Sequence, residues 1–185
     1  MHIDHAIAQK LDYRWHPIHR VSKAKIPTGL WPWLSTPASI TKKLQQAGEL
    51  SVVVLEDGWG KPTQRERRKL GLAPRHAVRI RTVLLKFNGV VVIYGRSIIP
   101  AQSLKGHWRR VSQLKEKPLG GYLFRHPGLS RSTIEIANLP ANLFPGIHKK
   151  VWARRSVFLQ YGPGILVNEA FFDTILDFKS LLGSL

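Results

Sequence analysis

The stretch "RIRTVLLKFNGVVVIYGRSIIP", residues 79–100, constrains this chain more than any other. Two runs rich in β-branched and apolar residues flank Asn88-Gly89, the dipeptide that best tolerates the left-handed geometry of a two-residue hairpin turn. Pro100 stops the second strand. Side chains alternate along a strand, so Arg79, Arg81, Val83, Leu85 and Phe87 share one face, and Ile80, Thr82 and Leu84 the other. Arg81 therefore points where apolar side chains point. The same test on "ILVNEAFF" sets Ile165, Val167, Glu169 and Phe171 on one face, so Glu169 is an acid in apolar company.

Other segments supply the elements around this hairpin. "STPASITKKLQQAG" predicts a helix with Thr36 as N-cap, Pro37 at its first position and Gly48 past its end. "ELSVVVLEDGWG" predicts a strand ending at Gly58, and the charged "KPTQRERRKLGLAPRH" a turn-rich surface stretch. "AQSLKGHWRRVSQLKEK" reads as helical, with Trp108 on its buried side, and "PLGGYLF" as a short turn or helix. "LSRSTIEIANLP", "ARRSVFLQY" and "GILVNEAFF" are three more strands, the last two a second hairpin around "GPG". "DTILDFKSLLGSL" is expected to close the chain as an amphipathic helix. Five or six strands, mostly joined by short turns, with two or three helices, predict a single α+β domain on an antiparallel sheet. Residues 1–30 read as a basic N-terminal arm, 31–172 as the domain, and 173–185 as a C-terminal tail packed on it.

Composition narrows the chemistry. The 185 residues include no Cys, which removes disulfides, thiolate metal sites and cysteine nucleophiles. No apolar run approaches the roughly 20 residues of a membrane-spanning helix. The N-terminus lacks the apolar core of a secretory signal, so a cytoplasmic protein is expected. A formal net charge of +18 attracts anions of every kind without choosing among them.

An unpaired buried charge is costly. Arg81 and Glu169 therefore either reach solvent or pair with each other, or they line a closed pocket and meet opposite ends of one anionic ligand. Weaker signals have plainer readings. His2, Asp4, His5, His16 and His19 have metal-ligating chemistry, but Pro17 interrupts their spacing, and no metal site is expected. "RERRKL", at 65–70, reads as a solvated basic loop before a phosphate grip. No glycine motif stands between a strand and a helix as a nucleotide cradle requires.

"VRIRTVLLKFNG", "GRSIIP", "KPLGGYLF", "SRSTIEIA" and "ARRSVFLQYGPGILVNEAFF", in that order and at those separations, resemble the chorismate pyruvate-lyase family from about Ser39 to Phe172. The resemblance implies a six-stranded antiparallel sheet with helices packed on it and a buried ligand site under flaps. It implies release of pyruvate from chorismate to leave 4-hydroxybenzoate, with no metal and no cofactor. The family's carboxylate-binding arginine falls on Arg81 in "IRTVLL", and its hydroxyl-facing glutamate on Glu169 in "LVNEAFF". Its two ligand-facing backbone amides fall on Leu119 and Ile40. Two other classes remain in view: a non-catalytic domain of the same fold that senses small aromatic acids, and a basic nucleic-acid-binding module. The second gives Arg81 and Glu169 no role.

Overall fold

The computed structural model describes residues 13–105, 108–160 and 162–182. The N-terminal residues 1–12, with His2, Asp4 and His5, lie outside that set.

The hairpin forms as the sequence predicts. Strands β3 (Val78–Phe87) and β4 (Val90–Pro100) pair antiparallel about Asn88 and Gly89, whose φ values of 47° and 80° are both left-handed. The turn is tied to the strand beside it, since Asn88 Oδ1 accepts the Glu49 amide at 3.0 Å. Gly48 makes room for this contact, because a Cβ there would stand 2.7 Å from Asn88 Oδ1 and 2.8 Å from the Phe87 ring.

Strands β2 (Leu50–Gly60), β6 (Glu135–Leu139), β7 (Val151–Leu159) and β8 (Ile165–Phe171) complete a core of six long strands. Two-residue strands β1 (His16–Pro17) and β5 (Ser130–Arg131) are added to them. The open sheet runs β1-β6-β7-β8-β4-β3-β2, with β5 also on β7, and every pairing is antiparallel. No helix among the described residues is long and apolar enough to cross a membrane.

Among the described residues four short α-helices accompany the sheet: α1 (Trp31–Ser35), α2 (Ile40–Ala47), α3 (Gln64–Lys69) and α4 (Leu119–Leu123). Three differences from the sequence reading have local causes. Helix α2 begins at Ile40, four residues after Thr36, because the Thr36 hydroxyl closes a local turn on the Ala38 amide at 3.2 Å and its carbonyl accepts from Arg131 and Arg154 instead of starting a helix. Ser39 is the N-cap instead, its Oγ accepting the Lys42 amide at 3.2 Å. Residues 64–69 are a helix rather than a surface turn: Thr63 and Glu66 form a capping box, and Glu66 is only 2% exposed. Finally, residues 103–105 and 109–113 are 3-10 turns rather than an α-helix. Trp108, Val111 and Leu114 are all buried, and a spacing of three suits three residues per turn.

Each sheet face carries two apolar clusters. On one face, Trp33, Leu34, Ile40 and Leu44 pack over Leu85, Ile93 and Phe171, while Trp108, Tyr122 and Leu123 pack over Ile99, Phe158 and Ile165. On the other face, Tyr94, Phe144 and Phe172 anchor one cluster, and Ile80, Ile98 and Leu166 the second. The gap between the first pair of clusters is the cavity. Residues 173–182 form a 3-10 segment broken at Phe178, with Ile175 fully buried in the cluster under α2.

Candidate active site

The cavity lies between the sheet and two covers, one ending in α2 and the other in α4. About 50 Å³ is open to the centre of a water, several times the roughly 10–15 Å³ that one water needs. Val83, Gly95 and Val167 form its floor, Ser39, Ile40 and Thr41 one wall, and Pro118, Leu119 and Gly120 another. The two helix starts press together, since a Cβ on Gly120 would stand 2.7 Å from Thr41 Oγ1. The floor glycine is equally confined: a Cβ on Gly95 would stand 3.2 Å from Val83 Cγ2.

Arg81, Glu169, Ile40 and Leu119 all line this one cavity. Arg81 and Glu169 do not pair with each other. Arg81 is on β3 and Glu169 on β8, with β4 between them and a register offset of two residues, so the sheet holds their backbones about 12 Å apart. Each has its own partner. Arg81 is 2% exposed; its Nη1 donates to Asp57 Oδ2 at 2.8 Å, and its Nη2 to the carbonyls of Lys115 and Lys117. Asp57 also accepts Arg79 Nε at 2.6 Å. Glu169 Oε2 accepts Arg154 Nε at 2.6 Å, and Glu169 Oε1 has no hydrogen bond from the described residues. Ile40 and Leu119 are the first residues of α2 and α4, where a backbone N–H has no acceptor within its own helix.

Arg154 and Asp57 are the residues that the sequence reading missed. Arg154 is 2% exposed, lines the cavity, and donates Nη1 to the carbonyls of Trp33 at 3.0 Å and Thr36 at 2.9 Å. It thereby joins Glu169 to the first cover. The signal was in "ARRSVFLQY": two successive arginines in a strand must send one side chain to each face.

The arrangement is a mostly apolar chamber holding two guanidinium groups and one carboxylate with an oxygen that accepts no hydrogen bond from the described residues. Such a chamber fits an aromatic anion carrying a polar group at its far end. Among the described residues no three His, Asp or Glu side chains gather as a metal cage.

Comparison with known proteins places this geometry in a family. The family model for chorismate lyase matches residues 14–179. A probable chorismate pyruvate-lyase of Aromatoleum aromaticum is 34% identical over 172 residues, covering 86% of this chain and 93% of that protein. One from Methylobacillus flagellatus is 32% identical over 155 residues, covering 78% and 87%. Among solved structures, the effector domain of PhnF from Mycobacterium smegmatis superposes with a TM-score of 0.52 at 14% identity, covering 70% of this chain and 85% of that one. A GntR-family transcriptional regulator from Bacillus cereus gives 0.52 at 14%, covering 69% and 94%. At that identity the likeness is one of fold alone, whereas the sequence match spans the cavity and both its covers: the chain belongs to the chorismate lyase family.

Proposed function

We propose that this chain eliminates pyruvate from chorismate to leave 4-hydroxybenzoate in the cavity, without metal or organic cofactor. The observation that carries the reading is the separation of Arg81 and Glu169 in one chamber, each held by its own partner instead of by the other. In the reaction the ring C4–H and the C3–O ether bond break. The electron pair from C4–H completes the aromatic ring, the enolpyruvyl oxygen leaves with the C3–O pair, and the proton lost from C4 is balanced by one gained at the enolpyruvyl methylene, which gives pyruvate. Aromatisation drives the step, so the protein has to supply orientation, fixed charge and exclusion of water. Positioning alone contributes about 7–11 kcal/mol in well-oriented reactions.

Arg81 is assigned to the ring carboxylate. Asp57 and two backbone carbonyls already hold its Nη atoms, which fixes the guanidinium plane. The substrate oxygen then meets Nε, or replaces one of those acceptors. Glu169 receives the C4 hydroxyl on Oε1 while Arg154 steadies Oε2. The amides of Ile40 and Leu119 point donors at the two polar ends, so their side chains matter less than their place at the helix starts. The distant regulator structures share only the fold and give no support to a non-catalytic sensor.

The deciding measurement is pyruvate and 4-hydroxybenzoate release from chorismate by the purified protein, which is expected to be unaffected by chelators. Folded protein giving no pyruvate above the spontaneous rate sinks the proposal. At a hundredfold excess over its dissociation constant, 4-hydroxybenzoate should stabilise the fold by about 2.7 kcal/mol. Benzoate, which lacks the hydroxyl, should stabilise it less.

A further inference from the structure

Two arginines from the sheet reach the same turn of the first cover, and they differ in what else they hold. The turn is Thr36–Pro37, between α1 and α2, and it leads directly into the cavity wall at Ser39 and Ile40. Arg154 Nη1 donates to the Thr36 carbonyl while its Nε is committed to Glu169. Arg131 Nη1 donates to the same carbonyl at 3.2 Å and to that of Pro37 at 3.1 Å. Its Nε is anchored on Ser156 Oγ at 2.9 Å, and its guanidinium lies 5.0 Å from the centre of the Phe158 ring. Arg154 cannot release the turn without disturbing Glu169. Arg131 can, because it stands outside the cavity lining and touches none of the groups assigned to substrate.

We propose that Arg131 is a latch: its grip on the Thr36–Pro37 turn sets how often the first cover opens, and hence how fast an occupant leaves the cavity. Burial, and next the charge of Arg154, push the Arg131 pKa down to about 10, with Glu169 opposing them. The closed cover therefore holds two like charges near one carbonyl. Such a contact can be released more readily than one between opposite charges.

The inference rests on the lyase reading only for the identity of the occupant, so the test has two arms. In ligand-free protein, Arg131→Gln should speed amide hydrogen exchange across residues 31–47 about tenfold, with the amides of β3, β4 and β8 unchanged. Unchanged exchange in 31–47 overturns the latch. A rise spread over the strands also overturns it, because it marks Arg131 as a general structural tie. In the second arm, 4-hydroxybenzoate is chased from the preformed complex. Dissociation should be about tenfold faster in the variant, while single-turnover chemistry stays within about twofold of wild type. Equal dissociation rates overturn the proposal. If wild-type protein does not bind 4-hydroxybenzoate, the lyase reading fails and the exchange arm still decides the latch. Should Arg131→Gln not fold, Ser156→Ala removes the anchor and keeps the charge. It should shift both readouts in the same direction by about threefold, and no shift overturns the latch.

Discussion

Arginine–glutamate pairs occupy the middle of both faces of the sheet, between two apolar clusters each time, yet they do different things. On the far face, Arg96 is wholly buried and meets Glu66 of α3 with two hydrogen bonds, Nε to Oε1 at 3.0 Å and Nη2 to Oε2 at 3.3 Å. Beside it, Glu135 accepts from both Arg155 and Lys69 at 2.7 Å, and Arg155 lies over the Trp15 ring. Both oxygens of Glu66 and both of Glu135 are taken by cations. On the cavity face, Glu169 spends one oxygen on Arg154 and keeps the other. The pairs differ in what covers them: a capped helix delivers an acid to Arg96, whereas the helix starts above Glu169 deliver only backbone and uncharged side chains. A pair whose carboxylate has both oxygens taken holds the fold, even with Arg96 Nη1 left at 3.9 Å from Glu56 Oε2, and a carboxylate left with an unmatched oxygen beside a cavity can serve a ligand.

Changing one member of a pair on each face tests this contrast. The largest effect is expected from Glu66→Ala, which leaves Arg96 buried without its carboxylate. Breaking such a pair costs about 3–5 kcal/mol. Chemical denaturation should show that loss, with kcat/KM per folded molecule close to wild type at low temperature. Replacing both residues by apolar ones, as in Glu66→Leu with Arg96→Met, should recover much of the stability. Full activity loss with normal stability would erase the distinction between the faces.

Next in size is Glu169→Gln, where the hydroxyl loses a charge-assisted partner worth about 1.5–3 kcal/mol, or roughly 10- to 150-fold in kcat/KM. Its melting temperature should move far less than that of Glu66→Ala. Glu169→Ala should lose more activity still. A Gln variant with full turnover and a low melting point would return Glu169 to a structural role.

A smaller effect is expected from Arg81→Lys. The ammonium keeps the charge, but it cannot span Asp57, two carbonyls and a ligand as the planar group does. Substrate KM should rise about tenfold, more than kcat falls, in initial-rate measurements.

The smallest effect belongs to acid stability on the far face. Burial pushes the Glu135 carboxyl up, yet the hydrogen bonds from Lys69 and Arg155 outweigh it and hold its pKa below the usual value. A depressed folded pKa contributes stability that is present above the unfolded value, near 4.3, and lost as pH falls through the folded one. Glu135→Gln should therefore flatten the acid limb of a stability-against-pH curve below about pH 5, where the wild type steepens. Parallel curves for the two proteins would remove Glu135 from the account.

Much of this molecule was legible in local patterns. Asn88-Gly89 names its own turn, because few other dipeptides place two residues at positive φ. Alternation along residues 79–87 and 165–171 put Arg81 and Glu169 among apolar neighbours, and the cavity lining agrees. Some of what was missed was legible too. The capping box at Thr63 and Glu66 marks a helix in a stretch dominated by its basic residues, and the successive arginines at 154 and 155 oblige one to face inward.

The partners of the charges are a different matter. Strand order brings β8 between β4 and β7, so Glu169 lies opposite Arg154 and is kept from Arg81 by a whole strand. Helix α3 crosses to Arg96, 30 residues away in sequence, and Thr36 meets Arg131 across 95. Alternation says which way a side chain points, since that follows from the geometry of a single strand. It cannot say what the side chain meets, because that depends on which distant segments burial brings together.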